Sequence, residues 1–115
     1  MKLSSATAEI KNHEHSIEIK VSQYIRAMPF LWLKVDDTPG PESKRVYIER
    51  NSIGLLSNYG KLGTNLSIDP PSKEWLGFCS ANAKICQSGL WNVDYVDKPS
   101  DHNFVYYLET EVRRL

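Results

Sequence analysis

At 115 residues, with 14 basic and 14 acidic side chains and a formal net charge of zero, the chain is sized for one domain with a modest core. The charge balance excludes a protein that holds nucleic acid through bulk basicity, so any phosphate contact must come from a local patch. The longest apolar run, "MPFLWL", is too short to span a membrane, and the N-terminus lacks the apolar core of a signal peptide. Cys79 and Cys86 form neither a disulfide framework nor a zinc spacing, so a cytoplasmic protein with two reduced thiols is expected.

Taken in chain order, residues 1–13 read as a tail or one edge strand, and residues 14–115 as a single domain. From His15 to Met28, Ile17, Val21, Tyr24, Ile25 and Met28 recur on one face at the helical period, and Pro29 stops the helix. Residues 30–35, "FLWLKV", are an apolar run without helical spacing, bounded by turn residues, and read as a buried strand. In "DDTPGPES", Gly40 is the expected cap and Pro41 the first position of a second helix that runs to about Asn58, with Gly60 beyond its end. Residues 61–72 read as loop, closed by Pro70 and Pro71. Ser72 is placed as the cap of a short helix through Gly77, and Ser80 as the cap of another through Gln87, ended by Gly89. "SGLWNVDYV" is part turn and part extended. Ser100 or Asp101 caps a last helix striped by Phe104, Leu108, Val112 and Leu115, with Arg113 and Arg114 at its favourable end.

The expected fold class is therefore α+β: a small, incomplete antiparallel sheet with one clear strand, 30–35, packed by four or five helices. A lone strand leaves backbone donors and acceptors unpaired, so it calls for a partner. Residues 2–10, residues 90–96, a second copy of the chain or a further segment could each supply it.

The second helix carries one misplaced residue. On a wheel at roughly 100° per residue, Val46, Ile48, Ile53, Leu55, Leu56 and Tyr59 fill one half. Arg50, Asn51, Gly54, Ser57 and Asn58 fill the other. Glu49 lands inside the apolar half. A carboxylate there is either ion-paired (Arg45 and Arg26 are the candidate partners), set on the margin and reaching out to water, or a ligand for a hard divalent cation such as magnesium. Beside it, Lys44, Arg45 and Arg50 form either a solvated helix face or a set of phosphate contacts. Trp91 and Asn92, in "SGLWN", either make a packed turn or line a groove near Glu49. His13 and His15 are too few for a zinc site, Asp36, Asp37 and Glu42 lack calcium-loop spacing, and Ser88 lacks the frame of a nucleophile elbow.

The run "VYIERNSIGLLSNYG" resembles the segment that ends the core of GIY-YIG nucleases, where a glutamate on a helix after the third core strand binds the single catalytic metal. Over residues 14–112 the phrases "MPFLWL", "IERN", "LLSN", "IDPPS", "WLG" and "SGLWN" are similar to the C-terminal half of a group of bacterial proteins of that type. The resemblance implies an endonuclease-like partial domain, with Glu49 as metal ligand, Asn58 as a second catalytic-site residue and DNA as substrate. The chain has neither the G-I-Y nor the Y-I-G motif of the family's tyrosine hairpin. The family's arginine does not map onto Arg26. "FLWLKV" would then be the third strand of a sheet whose hairpin is absent, in a truncated product, a fragment or a shortened relative that pairs its strand otherwise, and this chain is expected not to cut DNA unless a separate chain supplies the hairpin. The competing expectation is a non-enzymatic interaction module that homodimerises through an exposed strand edge.

Overall fold

The computed structural model describes residues 6–115. Its chain divides into two compact units, one ending at Trp32 and the other running from Leu33 to Leu115.

The first unit is built on α1, Ala8–Ala27. The helix starts a full turn and more before His15, because Thr7 caps it: its hydroxyl accepts the Ile10 N–H, and Glu9 sits in the first turn. Ala8–His13 therefore belong to the helix, while residues 1–5 of the expected tail or edge strand lie outside the described residues. The expected stop holds, with Met28 extended before Pro29 and its N–H donating to Ile25 O. No residue of α1 is buried.

In the second unit, α2 spans Lys44–Leu56, α3 spans Ala83–Ser88, and α4 spans Phe104–Arg113, with a 3-10 turn over Leu76–Cys79 between the first two. The α+β expectation is overturned: among the described residues there is no strand and no sheet. Among the described residues, the segment 30–35 has no ladder partner. Residues 2–5 are not described, residues from Ala8 are helical, and in residues 90–96 the Val96 carbonyl is taken by the Ser57 hydroxyl. The segment keeps one trace of a pleat. Leu33, Val35 and Asp37 are half-buried, while Lys34 and Asp36 between them are exposed. Phe30 and Trp32, expected in the core, are 85% and 66% exposed.

Several boundaries also move. Ser43, not Gly40, caps α2, accepting the Val46 N–H at 3.3 Å, while Gly40–Ser43 closes a turn. The helix ends at Leu56 because Ser57 and Asn58 are diverted to other partners. Residues 72–77 do not form the helix expected there. Asn82, not Ser80, caps α3, and Gly89 closes it in the left-handed conformation at φ 74°. Asn103 precedes α4, with no side-chain cap bond of its own.

The core is small and unusually polar. Val96 and Phe104 are its buried apolar members, beside buried Ser43, Asn51, Ser57, Asn58 and Ser88. Tyr47 on α2 meets Phe104 and Tyr107 on α4 edge-on, at ring separations of 5.9 and 5.2 Å.

Candidate functional site

Helix α2 carries every basic and acidic candidate of the expected site, so its orientation decides what they can do. The expected orientation is reversed. Its buried residues are Asn51 and Gly54, from the half of the wheel read as solvent-facing. The apolar half is left partly open: Val46, Ile48, Ile53 and Leu55 are half-buried and Leu56 is exposed.

The physical reason is backbone satisfaction. The small and amide residues on α2 and just past its end meet polar groups of the C-terminal loops that would otherwise be orphaned. Asn51 Oδ1 accepts the Asp101 N–H at 2.7 Å, and its Nδ2 donates to Tyr47 O at 2.8 Å. Gly54 lets the Lys98 carbonyl approach so closely that a Cβ there would stand 2.6 Å from it. Ser57 Oγ donates to Val96 O at 2.6 Å.

Glu49 is exposed, and none of the described ion pairs includes it, so a buried pair with Arg45 is not what holds it, while Arg26 belongs to the first unit. It stands as an open carboxylate within the partly open apolar band. No group of three His, Cys, Asp or Glu side chains is gathered for a metal among the described residues. A single accessible carboxylate suits only a hard cation that fills the rest of its shell with water and phosphate oxygens, which is the habit of magnesium.

The other expected residues are placed apart from one another. Asn58 is only 1% exposed. Its Nδ2 donates to Asp69 O at 3.0 Å and Ser88 O at 3.3 Å, its Oδ1 accepts the Ser67 hydroxyl, and its own N–H donates to Ser88 O at 2.7 Å. That is the bonding of a hub tying the 61–72 loop to the end of α3. Lys44 opens α2, with its N–H on Asp37 Oδ2 at 2.5 Å. Arg45 Nη2 holds Val35 O at 2.9 Å, fixing the segment after Trp32. Arg50 lines an open recess of about 630 Å³. The three cations therefore have three different sets of neighbours. Trp91, 63% exposed, leans on Trp75 with rings 5.5 Å apart, and Trp75 meets Phe78 edge-on. Asn92 is exposed. Trp91 thus belongs to an aromatic cluster with the 3-10 turn.

The recess beside Arg50 was not legible in advance. Its lining adds Lys98 and His102 from the loop before α4, with Asn51 beneath. The available signal was the row Asn51, Gly54, Ser57 and Asn58, small or amide residues spaced three or four apart, which marks a face built for close backbone approach.

Tyr47, whose hydroxyl donates to Asp101 Oδ2 at 3.4 Å, packs on Tyr107. The Tyr47 phenol is held above its ordinary range, first by burial and then by the charge and hydrogen bond of Asp101, with Tyr107 adding and Arg50 opposing. Tyr107 is raised by burial, then by Glu111 and Asp37. Both stay neutral and serve packing at neutral pH.

A family model described as GIY-YIG domain matches residues 1–115. The match takes in the whole chain and does not single out a C-terminal half. No curated protein and no solved structure matches the chain.

Proposed function

We propose, from the premise that this chain belongs to the GIY-YIG family, that it provides the metal-ligand carboxylate and part of the phosphate-binding surface of a nuclease-like domain acting on DNA. The tyrosine hairpin, whose motifs its sequence lacks, comes in this reading from a different segment or a partner chain. Phosphodiester hydrolysis is assigned to the completed assembly, in the cytoplasm. No described helix is long and apolar enough to cross a membrane.

Glu49 is the observation that carries the reading. A carboxylate with no cationic partner among the described residues, seated in an apolar band, is free to ligate. A magnesium ion held there would polarise a phosphate oxygen. The chain's own residues do the rest by binding. Arg50, next to Glu49 in sequence and without an ion-pair partner among the described residues, contacts the phosphate backbone, and Lys44 adds positive charge at the start of α2. Arg45 has its guanidinium on Val35 O and acts by positioning the 33–37 segment. Asn58 supports the site through the loops it ties.

One observation favours a second reading. Phe30, Leu31 and Trp32 are consecutive, large and exposed, and the segment they open has no ladder partner among the described residues. A contiguous apolar patch of this kind suits a docking or homodimerising edge.

Fluorescence anisotropy with labelled duplex DNA, paired with gel filtration, separates the two. The nuclease-like reading expects binding that weakens steeply with salt and weakens further in Arg50→Ala. A dimer with no affinity for DNA would replace it with the docking reading.

A further inference from the structure

The geometry points to a nucleotide-phosphate pocket between α2 and the loop 95–102, in which Arg50, Lys98 and His102 receive the phosphoryl group and Tyr95 and Pro99 form the wall against the base.

Charge supports the phosphate end. Arg50 and Lys98 bring two fixed cations to the recess, and neither is in an ion pair among the described residues. The one carboxylate in the lining, Asp101, is engaged: Oδ1 accepts the Asn103 N–H at 2.9 Å and Oδ2 the Tyr47 hydroxyl at 3.4 Å. The lining ends at His102, two residues before α4 begins, so the positive end of that helix dipole lies close by. Ser100, also in the lining, has its hydroxyl buried without a hydrogen-bond partner among the described residues.

Backbone geometry supports the base end. Tyr95 has φ 63°, the single positive φ outside glycine among the described residues. A bulky residue in the left-handed region is strained, and such strain collects at ligand-binding positions. The loop is also fixed in advance. Lys98 N–H donates to Tyr95 O at 3.1 Å, Ser57 holds Val96 O, and Asn51 holds the Asp101 N–H. A ligand therefore meets a formed surface and does not have to order it. The volume, about 630 Å³, suits a single nucleotide unit, and an aromatic ring beside cations is the common arrangement for holding one unstacked base and its phosphate.

The phosphate could belong to a DNA strand or to a free mononucleotide. The strand as source rests on the DNA reading above; the pocket itself does not.

Amide spectra of the ¹⁵N-labelled full chain, titrated separately with inorganic phosphate, thymidine 5′-monophosphate, thymidine and a short single strand, test the inference. The monophosphate and the strand should move the amides of 98–102, with thymidine much weaker. Lys98→Ala, an exposed substitution that leaves the fold intact, should weaken both by about ten-fold. Tyr95→Gly, which keeps the left-handed backbone and removes the ring, should weaken the monophosphate but not inorganic phosphate. Strand binding unchanged in Lys98→Ala but reduced in Lys44→Ala overturns the pocket and leaves the DNA reading standing. Monophosphate binding at 98–102 without any strand binding supports the pocket for a free nucleotide and overturns the DNA reading. Shifts confined to other residues overturn the pocket outright.

Discussion

Asn51 and Asp101, fifty positions apart, are joined by a 2.7 Å hydrogen bond from the Asp101 backbone N–H to the Asn51 side-chain oxygen. This bond sets the loop before α4 against α2 and so places Lys98 and His102 opposite Arg50. Removing its acceptor tests how much of the second unit depends on it. Asn51→Ala leaves the Asp101 N–H without its partner and is expected to cost about 1–3 kcal/mol, read as a lower urea midpoint with an unchanged slope. An unchanged midpoint would mean that the loop is held elsewhere.

Gly54→Ala opposes two effects of known size. Alanine improves helix propensity by up to about 1 kcal/mol. Its Cβ would stand 2.6 Å from the Lys98 carbonyl and close to the 99–100 peptide, and forcing backbone apart in this way costs about 1–3 kcal/mol. The clash is expected to win, giving a less stable protein with shifted amides at 98–101. A more stable variant would contradict the close approach of the loop.

The legibility of the molecule follows the same boundary. Helices signalled by apolar periodicity or by a proline stop were readable: α1 up to Met28, the region of α2, and α4 from Phe104. The sheet was not, because a strand exists only through its partner, and "FLWLKV" has none among the described residues. The buried face of α2 was read backwards because amphipathicity assumes an apolar core. Here the buried contacts are hydrogen bonds from Asn51, Ser57 and Asn58 to distant backbone, which leave no trace in hydropathy. Position on the wheel singles out Glu49, but hydropathy does not show that the band around it lies partly open.

The tyrosine pair gives an alkaline prediction. Tyr47 and Tyr107 both titrate above the ordinary phenol value of about 10. A raised value means the native state holds the proton more tightly than the unfolded chain does. The stability this contributes is fully present below the unfolded value and is lost as pH rises through the native one. Absorbance at 295 nm should show two of the six tyrosines ionising late, and Asp101→Asn should bring the Tyr47 step down. Six coincident titrations would contradict the packing of Tyr47 against Asp101 and Tyr107.

On the acid side, Lys84 Nζ lies 3.2 Å from Asp97. Asp97 is held below its ordinary range by the Lys84 hydrogen bond first, with burial opposing. A lowered carboxyl value contributes stability that is present above the unfolded value and lost as pH falls through the native one. Lys84→Met should flatten that part of the stability profile by a small amount, since the pair is partly solvated and screened by salt. An identical acid limb in the variant would show the pair to be energetically silent.

The claim on which the functional account turns is that Glu49 is a magnesium ligand beside a phosphate-binding surface. The direct measurement is duplex DNA affinity by anisotropy, with and without magnesium, for the native chain and for Glu49→Gln. The account predicts that magnesium tightens binding by the native chain and has no such effect on the variant. Equal responses of the two proteins to magnesium, or no DNA binding by either, would contradict it.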